Sequence, residues 1–143
     1  MNNDGLTLIE LMVIMAILFI LYSFSLLGYN SWVKSHKIRK TFHEVFNMVL
    51  YARNRSFLTA GVCKLCWISD NKTFVISCDG REIERYVSDY DFSLRLSRDA
   101  HCIEFDNGLS NTLGSIILNV NEDLPYNCIK VHWLRIRKDK CGA

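Results

Sequence analysis

Apolar side chains run from Leu6 to Leu27 with few interruptions, and beyond them the pattern changes twice. About 20 apolar residues suffice for a helix to cross a bilayer, so residues 6–28 read as a transmembrane helix. From residue 29 the pattern becomes periodic. Phe42, Val45, Phe46, Val49, Leu50 and Phe57 recur at helical spacing, which predicts that residues 29–61 continue the helix in amphipathic form. Gly61 is the expected stop, because glycine takes the left-handed dihedrals that close a helix. No proline marks the membrane exit, so a bend there would fall to Gly28.

Past Gly61 the apolar runs shorten to strand length. Val62 to Ile68 and Thr73 to Cys78 flank the polar Ser69-Asp70-Asn71-Lys72 and read as a hairpin. Glu82 to Val87, Phe92 to Leu96, Cys102 to Phe105, Leu113 to Val120 and Cys128 to Ile136 complete the set. Asp106-Asn107-Gly108 is the clearest turn signal. One long helix followed only by strands predicts an α+β fold: a membrane half and an amphipathic half of one helix, the latter packed on a small antiparallel sheet in residues 62–143.

Composition narrows the class. With 143 residues and one membrane-length segment, the remainder suffices for a single small domain. A hydrophobic share of 50% with 22% charged residues suits a folded domain, and a net charge of +2 is too mild to imply nucleic acid. All six cysteines lie beyond the membrane run, which fits disulfides in an oxidising compartment. The basic cluster Lys34, Lys37, Arg39 and Lys40 argues the other way, since cations ordinarily flank a membrane helix on its cytoplasmic side. The cysteines outweigh the cluster, and the domain is expected outside.

Glu10 stands at the head of the apolar run. A charge at the bilayer centre costs on the order of 2.5 to 3.5 kcal/mol, less toward the interface, so a carboxylate there calls for a cationic partner. Cleavage after Gly5 would supply one, because the new α-amino group of Leu6 would sit one helical turn from Glu10 in the same or a neighbouring copy. A secretory signal would show a basic start and a small-x-small site after the apolar run, and neither is cleanly present. An uncut single-pass anchor accounts for the hydrophobicity and leaves Glu10 unexplained.

Gly5-Leu6-Thr7-Leu8-Ile9-Glu10 and the apolar helix after it resemble the prepilin signature of type IV pilins and type II secretion pseudopilins. The resemblance implies a leader at residues 1–5, cut by a membrane prepilin peptidase, and N-methylation of Leu6. It further implies that Glu10 assists assembly with other pilin-type subunits through the N-terminal helix. The location implied is the inner membrane, single pass, with residues 62–143 in the periplasm or on an extracellular filament. Ala52-Arg53, the Val62 strand, and Ile103-Glu104-Phe105 to Gly108 before the Leu113 strand are similar to H-type minor pseudopilins and FimT-like minor pilins.

The cysteines read first as disulfides. A hairpin turning at Asp70-Asn71 sets Cys63 opposite Cys78, while Cys63 and Cys66, three apart on a strand, face opposite sides. Pilin heads often staple their C-terminal region, so the resemblance implies Cys128 with Cys141, leaving Cys66 with Cys102. Cys63-Lys64-Leu65-Cys66 also has the spacing of half a zinc site, but no second close pair accompanies it. His36, His43, His101 and His132 share no spacing with an acid or nucleophile. No nucleophile elbow, P-loop or metal-hydrolase helix occurs, so neither enzyme activity nor a cofactor is expected.

Near the C-terminus, Lys130, His132, Trp133, Arg135, Arg137, Lys138 and Lys140 face one acid, Asp139. Basic residues interleaved with an aromatic can track phosphates and stack a base. FimT-like pilins carry Gly-Arg-x-Arg in this region, and Leu134-Arg135-Ile136-Arg137 is similar with Leu in place of Gly. DNA contact by Trp133, Arg135, Arg137, Lys138 and Lys140 is therefore one expectation. An edge strand guarded by charge is the other.

Overall fold

The computed structural model describes residues 7–68, 70–97, 101–122 and 124–142, with the side chains of residues 25–28 outside that description. One helix, α1 (Leu8–Thr59), precedes nine strands: β1 (Val62–Trp67), β2 (Thr73–Cys78), β3 (Arg81–Val87), β4 (Phe92–Leu96), β5 (Cys102–Asp106), β6 (Leu109–Ser110), β7 (Gly114–Leu118), β8 (Cys128–Val131) and β9 (Ile136–Asp139). This is an α+β, pilin-like arrangement of a long N-terminal helix and antiparallel sheets. Contacts divide the chain into two units, residues 1–37 and residues 38–143. In the first unit the described residues from Leu8 on are helical, and every described side chain from Leu8 to Phe24 is exposed.

The second unit holds the core. Ile38, Phe42, Val45, Val49, Ala52 and Ser56 are all buried, at alternating steps of four and three that draw one stripe down the helix. Strand alternation supplies the other walls: Cys63 and Leu65 from β1, Phe74 and Ile76 from β2, and Ile103 and Phe105 from β5. Phe92, Ile116, Leu118, Ile129 and Val131 come from a second sheet. Phe57, expected on the apolar face, is instead 71% exposed. The stripe drifts past it to Ser56, whose hydroxyl lies 2.7 Å from the Gly61 carbonyl and 3.0 Å from that of Phe105 and accepts the Gly108 N–H at 3.2 Å.

Two sheets replace the single one expected. Their orders are β3-β2-β1-β5-β6 and β4-β7-β8-β9, every neighbour antiparallel. Phe74 of the first sheet meets Phe92 of the second edge to face, ring centroids 5.2 Å apart. The expected strand Cys128 to Ile136 breaks in two, because the His132 N–H donates to the Arg135 carbonyl at 2.9 Å and closes a turn. Lys130 thereby pairs with Arg137, and Val131 with Ile136.

Turn chemistry is local. Asp70 Oδ1 accepts the N–H groups of Lys72 at 3.0 Å and Thr73 at 2.8 Å, while Asn71 takes a φ of 61°. Both Asp79-Gly80 and Asn107-Gly108 place two successive residues at positive φ, as tight hairpins require. At the end of α1 the left-handed residue is Ala60, φ 49°, rather than Gly61. Gly61 is small for another reason: a Cβ there would lie 2.9 Å from the Asp79 carboxylate, which accepts the Val62 N–H.

Candidate functional site

The start of α1 is built by two polar residues. The Thr7 carbonyl accepts the Leu11 N–H at 3.2 Å, which makes Thr7 the N-cap. Its own N–H and hydroxyl both donate to Glu10 Oε2 at 2.9 Å, and the Glu10 N–H reaches back to Thr7 Oγ1 at 3.4 Å. These reciprocal bonds form a capping box, which satisfies helix N–H groups that would otherwise lack partners. Thr-x-x-Glu before an apolar run is the sequence signature of this device, and it was legible in residues 7–10. Glu10 therefore has a local structural role besides the one expected of it in assembly. Gly5 and Leu6, the expected cleavage and methylation positions, lie outside the described residues.

Beyond the cap, residues 11–21 present an exposed, wholly apolar surface. The most apolar 18-residue window of the helix averages a hydropathy of 2.5, and none of that window is buried. By length and composition the segment can cross a membrane. Further along, Trp32 stacks on His36 with centroids 5.4 Å apart, and Lys40 pairs with Glu44 at 3.7 Å one turn on.

Each described cysteine is in a disulfide: Cys63 with Cys78, Cys66 with Cys102, and Cys128 with Cys141. The first two join residues directly opposite in the ladder, so β1 is tied to β2 on the inner face and to β5 on the outer. Neither Cys63 nor Cys66 is then a thiolate that zinc could use. The third closes the C-terminal end, where the Asn127 amide donates to the Cys141 carbonyl at 3.0 Å and its oxygen accepts the Cys141 N–H at 2.8 Å.

The C-terminal basic residues do not share a face. Along β9, Lys138 points toward the helix, its ammonium 2.9 Å from His43 Nδ1 and 4.5 Å from the centre of the Phe46 ring. Burial there pushes its pKa below the ordinary lysine value. Arg137 lies on the other side with Lys130, both on Asp139 Oδ2 at 3.3 and 2.8 Å. The Lys130 hydrogen bond, with the Lys140 N–H second, holds the Asp139 carboxyl below its usual range. Trp133 and Arg135 stand exposed in the β8–β9 turn. That turn is anchored by Arg53, whose Nε donates to the Gly108 carbonyl and Nη2 to the Leu134 carbonyl, each at 3.0 Å. In the sequence Arg53 is marked only by the family likeness at Ala52-Arg53; no spacing rule marks a side chain that reaches two loops.

A family model described as the prokaryotic N-terminal methylation motif matches residues 1–21. No curated protein and no solved structure matches the chain. The chain thus carries the type IV pilin-like prepilin signal, on a helix apolar and long enough to be its membrane anchor.

Proposed function

We propose that the chain is a minor pilin or pseudopilin, a structural subunit of a type IV pilus or type II secretion pseudopilus. Prepilin peptidase cuts it between Gly5 and Leu6 and the new Leu6 amine is methylated; it then assembles through residues 6–28 with other pilin-type subunits. The observation that carries this reading is the methylation motif over residues 1–21, laid on an apolar helix whose first turn holds a single carboxylate. Anchoring in the inner membrane with residues 62–143 outside it follows from the same reading, and the three disulfides suit that compartment.

The capping box sharpens the test of Glu10. Gln also serves at the third position of such a box, so Glu10→Gln keeps the helix start and removes only the charge. If the carboxylate meets a neighbour's amine, Glu10→Gln is incorporated into filaments as poorly as Glu10→Ala. Wild-type incorporation of Glu10→Gln would leave capping as the whole role of Glu10.

A second reading, a FimT-like DNA-binding subunit, draws on the exposure of Trp133 beside Arg135. It is the weaker, because Lys138 faces the helix and Arg137 shares Asp139 with Lys130, which leaves no continuous basic track. In gel shifts at low salt, a fragment beginning at Tyr29 is expected to leave duplex DNA unshifted. Binding that weakens with a log-log salt slope of roughly 0.9 per neutralised phosphate would favour the DNA reading.

A further inference from the structure

Two exposed patches of opposite charge stand on the second unit. The first gathers at the β5–β6 and β8–β9 turns. Phe57 packs over Gly108, where an added Cβ would lie 3.0 Å from its own, and Leu109, Trp133 and Leu134 help line a groove of about 360 Å³. Trp133 is 66% exposed and Leu134 71%. Arg135, next in the turn, has no ion-pair partner among the described residues. Exposed apolar side chains around a tryptophan, with an unpaired arginine at their edge, mark a contact surface.

The second patch lies between α1 and β3. Glu84 and Tyr86 stand directly opposite Ile76 and Phe74, which are buried in the core, so they share that face of the sheet. With Glu44, Asn47, Met48 and Tyr51 of α1 they line a groove of about 390 Å³. Tyr51, Ile83 and Val87 add exposed apolar surface to it and to the strand beside it. Glu84, and Asp89 just past the strand, are exposed carboxylates with no hydrogen bond or ion pair among the described residues. Glu44, Glu82, Glu104 and Asp139 are by contrast held by Tyr86, Arg85, Lys64 and Lys130.

The two patches occupy opposite flanks of the unit. Tyr51 lines the acidic groove, and Arg53 holds the Leu134 carbonyl of the basic turn. Two positions along a helix of 3.6 residues per turn are roughly 200° apart around its axis. β3 and β6 are likewise the two edges of the first sheet. A surface and its complement placed in this way meet between copies, head to tail, and such a contact passes from copy to copy rather than closing on a pair.

We propose that the occupant is a second copy of this chain: the Trp133-Leu134-Arg135 turn of one copy docks in the groove between α1 and β3 of the next, Arg135 against Glu84. This rests on the filament-subunit reading and adds the two surfaces through which neighbouring copies touch. The test expresses two differently tagged full-length copies in the cells that naturally make the chain. One copy carries photoreactive p-benzoylphenylalanine at Leu134 or, in parallel, at Met15. The expected Leu134 adduct joins the two tags, and its peptides map to residues 44–51 or 83–89 of the other copy. Arg135→Glu in the photoreactive copy lowers the yield several-fold, Glu84→Arg in its partner does the same, and the two together recover most of it. Recovery by the paired reversal shows that neither variant failed to fold. An adduct at Leu134 with another part of the second copy, with a different protein, with lipid or with DNA would overturn the inference. So would a yield that neither reversal moves, a paired reversal that recovers nothing, or no Leu134 adduct while Met15 still captures a pilin-type subunit. If neither position captures a subunit, the filament reading falls and takes this inference with it.

Discussion

Arg53 illustrates how one side chain fixes several parts of the fold. Its guanidinium joins α1 to the β5–β6 turn and to the β8–β9 turn through two carbonyls. Hydrogen bonds from a charged donor contribute about 1.5 to 3 kcal/mol each, and the carbonyls would be left without this partner on its removal. Arg53→Ala is therefore expected to destabilise a fragment beginning at Tyr29 by about 2 kcal/mol, read from urea midpoints. Arg53→Lys should recover little of it, since one ammonium cannot reproduce the two-pronged geometry. A midpoint within error of wild type would show that the two turns hold themselves. The sequence could not disclose this arrangement, because residues 53, 108 and 134 are brought together only by the packed sheets. Glu10 is the opposite case: its cap partner stands three residues away, within reach of a pattern rule.

At the scale of elements, hydrophobic period was enough to place α1, β2 and β4, and the Asn107-Gly108 turn needed only its dipeptide. Local pattern was insufficient where tertiary structure decides. β8 and β9 read as one strand because Cys128 to Ile136 is apolar or β-prone except at Lys130, His132 and Arg135, the last two of which close the turn. The division into two sheets was equally hidden, since strand spacing says nothing about which edges remain apart. One contact between elements has a pH signature. Tyr86 on β3 donates to Glu44 on α1, and burial, reinforced by that carboxylate, raises the phenol from its usual 10.0 to about 12. A group whose pKa rises on folding contributes stability that is whole below the unfolded value and lost as pH climbs through the folded one. Between about pH 10 and 12 the wild-type fragment should therefore lose more stability than Tyr86→Phe does, as compared by urea midpoints across that range. Parallel losses in the two proteins would place the alkaline sensitivity elsewhere.

For the whole molecule, the prepilin signature, the apolar run and the cysteine placement were all legible because each is a local pattern in residues 5–28 or a matter of composition. The patch at Phe57, Leu109, Trp133 and Leu134 was not. Phe57 falls in the helical period of the core residues, and the other three stand far along the chain from it. The same division holds for function: the methylation motif and the membrane-length apolar helix stand at the N-terminus, whereas whatever the second unit contacts is written in surface that only folding assembles. Everything proposed about assembly depends on the first of these. The most direct measurement is the intact mass of the full-length chain after co-expression with an active prepilin peptidase. The account predicts a mature chain that begins at Leu6, lacks Met1 to Gly5 and carries one methyl group on its amine, with Gly5→Ala largely blocking the change. An unprocessed chain that retains Met1, alongside a known prepilin cut in the same cells, would contradict it.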